Sequence, residues 1–214
     1  SRHNIGIAYT YSEPGVWYEY VLDTANLARQ CGLKNVLVTN GFINAEPLCR
    51  LLPYIDALNI DVKAFNDKYY REICAGRLAD VKQTVELAAS LAHVEITCLL
   101  VPGLNDAPEE LAALAGWLAG INKDIPLHFS RYFPNYKMDA PPTPLPTLRR
   151  AYEQAREFLS YVYVGNAGAE WVDTHCPVCD QLVIDRQRRV SGLTAKKECP
   201  RCGSRISIVG EIMF

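Results

Sequence analysis

Short apolar runs alternate along this chain with segments of helical period. The first run, IGIAY at residues 5–9, stops at Ser12-Glu13-Pro14. Behind it Trp17, Tyr20, Val21, Thr24, Ala25 and Ala28 recur at helical spacing, and Gly32 supplies a stop, so a helix is predicted over residues 17–31. The β-branched run NVLVTNG (35–41) predicts a second strand, and a short helix is expected over 45–52. ALNIDV (57–62) is a third strand, with Asp61 and Lys63 at its end and on one face. A helix follows over 78–90, marked by Val81, Val85, Leu87 and Ala88, and then a strand over 93–101 closed by Pro102-Gly103 and Asn105-Asp106. A helix over 107–120 opens on Glu109 and Glu110, which suit its dipole. A strand over 125–131 contains His128, the Pro-rich piece 140–146 leads to a helix over 148–159, and YVYVGN (161–166) is the last strand of the series.

Strands that alternate with helices at this spacing predict an α/β fold with a parallel sheet, curled into an open or partial (β/α) barrel. A full eight-fold barrel takes about 250 residues, more than the 214 present. The chain starts almost directly on a strand, so an earlier βα unit is expected to be missing.

Chemistry gathers where such strands end. Glu13, Thr39, Asn40, Asp61, Lys63, Asn105, Asp106, His128 and Arg131 all fall at predicted carboxyl ends, where α/β proteins place their ligands. Plainer readings stand beside that one. Glu13 could sit in the first turn of a helix, Asn40-Gly41 and Asn105-Asp106 could be ordinary turns, and Asp61 with Lys63 could be a structural ion pair. Taken together, the rim suits a zwitterionic or nucleoside-like ligand better than an apolar one.

Charge excludes some partners. Lys and Arg total 22 against 24 for Asp and Glu, a formal charge of −2, so the bulk balance gives no reason to expect a nucleic acid. No apolar run is long enough to cross a membrane and no signal peptide is evident, so a cytoplasmic location is expected. Cys31, Cys49, Cys74 and Cys98 are dispersed and are expected to be small buried hydrophobes.

The other four cysteines differ. Cys176-Pro-Val-Cys179 and Cys199-Pro-Arg-Cys202 are two C-x-x-C pairs separated by 19 residues, the spacing of a four-thiolate ribbon. They predict a structural zinc site, or iron in a rubredoxin-like site, in a small module over 171–214 that follows the partial barrel of 1–170. Arg186, Arg188, Arg189, Lys196, Lys197, Arg201 and Arg205 can balance the thiolate charge. A nucleic-acid patch is disfavoured because the ribbon lacks aromatic stacking platforms.

The ordered series TYSEP, VTNG, NIDVK, LLVPGLND and IPLHFSRYFPNYKM resembles radical S-adenosylmethionine (SAM) enzymes of the pyruvate formate-lyase activating enzyme type. Together with the closing four-cysteine module, it is most similar to the branch called the AmmeMemoRadiSam system radical SAM enzyme. The resemblance implies a partial TIM barrel holding a 4Fe-4S cluster, with SAM chelating one iron through its amino and carboxylate groups. It implies that Glu13 accepts from the SAM ammonium and that Thr39 and Asn40 line the cofactor. Asp61 and Lys63 would meet its ribose and carboxylate region, His128 would approach it from a later strand, and Arg131 would meet the SAM carboxylate or a substrate backbone. The implied reaction is one-electron cleavage of SAM to methionine and a 5′-deoxyadenosyl radical, then hydrogen abstraction from a substrate, for which a protein is one candidate.

Two departures qualify this. Thr97 stands where the activating enzymes carry an arginine, and the C-x-x-x-C-x-x-C loop that holds the cluster is absent from these residues. The expectation is an N-terminally truncated member or a fragment of a longer product, inactive by itself. The alternative is a non-catalytic binding module that keeps the half barrel and the metal ribbon. A non-radical enzyme using His128 and Asp61 as acid and base is a weaker third reading, since no nucleophile or phosphate loop accompanies them.

Overall fold

The structure, a computed structural model, describes residues 4–169 and 171–212. Residues 1–3, 170 and 213–214, at the limits of the two expected segments, lie outside the described residues. Six parallel strands alternate with helices, and a small antiparallel ribbon follows them. The chain divides into two compact units at Leu99/Leu100, so the four-cysteine segment shares its unit with the last two parallel strands.

In the first unit β1 (Gly6–Tyr9), β2 (Lys34–Thr39), β3 (Ala57–Asp61) and β4 (His93–Leu100) pair in parallel and in chain order. Their crossovers are α1 (Tyr18–Gln30), α2 (Ala45–Leu51), and the pair α3 (Asp67–Glu72) and α4 (Leu78–Ala89). Strand alternation gives this sheet two unlike faces. Asn35, Leu37, Thr39, Leu58, Ile60, Val94, Ile96 and Cys98 are buried, and the helices pack on this side. Asn35 Nδ2, for example, donates to Ala25 O of α1 at 2.9 Å. The opposite face, with Val36, Val38, Asn59, Asp61, Glu95 and Thr97, is half-buried and becomes polar towards the carboxyl ends of β3 and β4.

Glycine is required where β2 turns into the next loop. Gly41 has φ +72°, and a Cβ there would meet Ile60 Cγ2 at 2.8 Å. Only Cys98 of the four dispersed cysteines is buried; Cys31, Cys49 and Cys74 are exposed, which corrects the expectation for those three. The reason is placement. Cys31 ends α1, Cys49 lies on the outer side of α2 beside Arg50, and Cys74 is in the loop after α3.

In the second unit β5 (Leu127–Arg131) and β6 (Val162–Gly165) pair in parallel, with α5 (Pro108–Asn122) and α6 (Leu145–Ala155) as their helices. The helix expected over 148–159 instead starts at Leu145. Pro146 sits in its first turn, where no backbone N–H is needed, so the Pro-rich piece starts the helix rather than delaying it. The short strands β7 (Thr174–His175), β8 (Leu182–Asp185) and β9 (Val190–Ser191) form the antiparallel ribbon. Its core is small: Tyr161, Val183 and Ile206 pack with Cys176 and Cys199.

Candidate functional site

The first unit draws Glu13, Thr39 and Asn40 together. Glu13 caps the single 3-10 turn Pro14–Trp17 from an extended conformation, and its Oε1 accepts from Gly15 N at 3.2 Å. The same carboxylate accepts from Thr39 Oγ1 at 2.6 Å and, through Oε2, from Asn40 N at 2.8 Å. One carboxylate thus caps the turn and reaches the end of β2. A carboxylate offers about four acceptor positions, so three described donors leave room for one more on Oε2. That is a chemistry fitted to a positively charged N–H donor.

Asp61 and Lys63 meet each other, with Lys63 Nζ 2.5 Å from Asp61 Oδ2. The pair is about one-third exposed, so solvent screens it and it remains responsive to a ligand. The backbone N–H of Lys63 donates to the Tyr70 hydroxyl at 3.1 Å. Burial pushes the Tyr70 phenol well above its ordinary range, although that hydrogen bond from Lys63 favours the phenolate, so the group stays neutral. Although Cys74 is exposed as a residue, desolvation of its sulfur raises the thiol, with Lys63 opposing it.

Asn40, Phe42, Lys63, Tyr70, Cys74, Gly76 and Val81 line a cavity of about 280 Å³ beyond the ends of β2 and β3. It has room for one moiety of a nucleoside-sized ligand. Thr97 donates to Asn59 Oδ1 at 3.0 Å, so the position that departs from the family arginine is used in a neutral cross-strand bond. Asn105 and Asp106 are turn formers: their carbonyl and carboxylate oxygens accept from Val101 N at 2.7 Å and Gly103 N at 2.8 Å.

In the second unit His128 stacks on Tyr163, with ring centroids 5.0 Å apart. Arg131 Nε donates to Thr143 O at 2.9 Å, and its guanidinium lies 4.8 Å from the centre of the Phe133 ring.

The sequence pattern did not single out Asn59, Glu95, Tyr70 or Phe42. Asn59 was recoverable, because strand parity places it on the same face as Asp61. The approach of Tyr70 to Lys63 depends on α3, a six-residue helix whose DKYYRE has no apolar period.

The four paired cysteines form the second candidate site. Their sulfurs lie within 4.8 Å of one another, with 3.6 Å between Cys176 and Cys202 and 3.7 Å between Cys179 and Cys199. A tetrahedron with metal–sulfur bonds of about 2.3 Å puts its sulfurs about 3.8 Å apart, so the set fits one zinc or iron ion. It is too tight for a four-iron cubane, whose thiolates stand further apart. Two matching turns present the sulfurs: Asp180 N donates to Cys176 O and Gly203 N to Cys199 O, each at 2.9 Å. Asp180 and Gly203 both have positive φ, as such a turn requires. Hydrogen bonding to Ser204 lowers the Cys202 thiol, whereas at Cys179 a backbone hydrogen bond at Gln181 is outweighed by desolvation and the neighbouring sulfurs, which raise that thiol.

The profile of the radical SAM superfamily matches residues 4–115 of this chain. With six parallel strands, a charged rim and that match, the chain belongs to the radical SAM superfamily. An uncharacterized protein of Methanocaldococcus jannaschii, MJ0808, is 43% identical over 97% of the chain, and the chain spans 65% of that relative's length. Among solved structures, a domain of a pyruvate-formate lyase-activating enzyme from Bacteroides vulgatus superposes with a TM-score of 0.65 at 17% identity. That match covers 75% of this chain and 99% of the domain. Streptococcus suis SuiB bound to S-adenosylmethionine gives 0.60 at 13% identity, over 73% of this chain and 38% of SuiB. A radical SAM methyltransferase from Sphaerobacter thermophilus gives 0.56 at 17% identity, over 75% and 50%. These likenesses establish the fold, a partial radical SAM barrel.

Proposed function

We propose that this chain carries the S-adenosylmethionine site of a radical SAM enzyme of the pyruvate formate-lyase activating type, in the AmmeMemoRadiSam branch. The observation that carries the reading is the Glu13 carboxylate, held to the end of β2 by Thr39 and Asn40 with an acceptor position to spare. In this reading Glu13 takes the ammonium of the cofactor, and Thr39 keeps the carboxylate oriented. The 2.5 Å Asp61–Lys63 pair opens to bring a hydroxyl acceptor and a cation to the ribose and carboxylate. Asn40 and Phe42 border the adjoining cavity. His128 and Arg131 keep the cofactor-contacting roles that the motif series implies for them.

The residues present do not fit the 4Fe-4S cluster. None of the eight cysteines forms a C-x-x-x-C-x-x-C trio, and the four clustered sulfurs suit a single ion. In this reading the cluster ligands lie outside these 214 residues. Reductive cleavage of SAM and hydrogen abstraction are the chemistry proposed for the whole enzyme, with a cytoplasmic location and a substrate that includes protein among its candidates.

The same missing trio favours a second reading, a non-catalytic SAM-fold module with a structural metal ribbon. Calorimetric titration with SAM separates the two. Weak saturable binding that is lost in Glu13→Ala supports the cofactor site. No heat at any SAM concentration supports the module.

A further inference from the structure

In the second unit, the metal ribbon and the parallel strands meet on one aromatic ring. Tyr163 on β6 is the register partner of His128 on β5. Their rings stack with 24° between planes and 5.0 Å between centroids. The Arg186 guanidinium, one residue past the end of β8, lies 5.0 Å from the centre of the same Tyr163 ring.

Arg186 is anchored from three sides. Its backbone N–H donates to Asp173 Oδ1 at 2.7 Å, and its Nη1 donates to Val172 O at 2.6 Å and to Thr174 Oγ1 at 2.8 Å. Thr174 Oγ1 is also 3.0 Å from the Tyr163 hydroxyl. Those three partners lead directly into Cys176, the first sulfur of the metal set. A guanidinium over a phenol ring is attractive and planar, so it holds the ring in its plane. A ring held in that way limits an imidazole stacked against it, whose terminal torsion is otherwise broad.

We propose that Arg186 and Tyr163 are positioning residues for His128, and that the ribbon's contribution is to fix the plane of that imidazole through the Arg186–Tyr163–His128 stack. The importance of that plane rests on His128 being a cofactor contact; the stack itself does not. The metal then has a task beyond folding the ribbon, because it secures the hairpin that carries Arg186.

The test uses the metal-loaded full chain labelled with 13C-histidine, with His128 assigned among the four histidines by His128→Gln. In the wild type the stack shields the His128 ring protons. Tyr163→Leu and Arg186→Gln are expected to move them downfield with metal content unchanged, Arg186→Lys to restore part of the shift, and Arg188→Gln, which touches no part of the stack, to leave it. Unmoved His128 resonances in both Tyr163→Leu and Arg186→Gln overturn the proposal. An equal displacement in Arg188→Gln does so too, because it would show general loosening of the ribbon. Adding SAM separates this from the cofactor reading: variants that move His128 while SAM does not would keep the stack and remove the cofactor role.

Discussion

Glu13 organises its surroundings with a single carboxylate. It caps a helical turn, accepts from Thr39 Oγ1 at 2.6 Å, and fixes Asn40 N at 2.8 Å. Charge-assisted bonds of this kind contribute about 1.5–3 kcal/mol each when shielded, so the carboxylate is held in place. Asn35 is the corresponding residue in the core. Fully buried, it accepts from Tyr9 OH at 2.9 Å and donates to Ala25 O and Tyr54 O at 2.9 and 3.0 Å. Asn35→Ala strands two buried partners and a half-buried one and is expected to cost about 2–4 kcal/mol, read as a lower urea midpoint at unchanged slope.

Asp56 gives the first unit a pH dependence. Burial opposes its ionisation, but hydrogen bonds from Lys34 Nζ and Asn35 N, with the charges of Lys34 and Arg29, outweigh burial and hold its carboxyl below the ordinary range. A lowered folded value means that the stabilisation is complete above the unfolded value of about 4 and is lost as pH falls through the folded one. Asp56→Asn should therefore be less stable than the wild type at neutral pH, with the gap closing below about pH 4. A gap that stays constant across urea midpoints measured from neutral to acid pH would contradict this assignment.

At the scale of elements, periodicity located most of the fold. The run ALNIDV became a strand one residue shorter than expected, and NVLVTNG became one that starts a residue early at Lys34 and ends two residues early at Thr39, because a β-branched run between turn residues has few alternatives while Asn40-Gly41 already turn. What escaped was set by capping rather than by pattern. α3 starts because the Asn66 side chain accepts from Tyr69 N at 2.7 Å, and α6 starts early because Pro146 suits a first turn. The ribbon was legible for another reason: two C-x-x-C pairs specify a ligand set whatever the surrounding strands do. Its apolar core is too small to sustain it, and a bound ion is worth on the order of 10 kcal/mol to such a module. The chain as made should carry about one zinc or iron ion and no acid-labile sulfide, and chelation should unfold the ribbon, seen as lost amide dispersion over 171–212. Stoichiometric sulfide would contradict a single-ion site.

At the scale of the molecule, the order of motifs predicted the parallel α/β fold and the superfamily, while the site was legible in outline only. Strand ends pointed to Glu13, Thr39, Asn40, Asp61 and Lys63, because rim placement follows from topology. The cavity around Tyr70 and Phe42, and the use of Thr97 to hold Asn59, depend on side-chain packing that spacing does not encode. Described residues contain no helix long and apolar enough to cross a membrane. The proposal that the Glu13 rim is the cofactor site is tested most directly by amide chemical-shift mapping during a SAM titration of the 15N-labelled chain. The Gly15 and Asn40 amides both donate to Glu13, and they should shift with saturation together with Lys63. Shifts confined to residues away from this rim, or none at saturating SAM, would contradict the account.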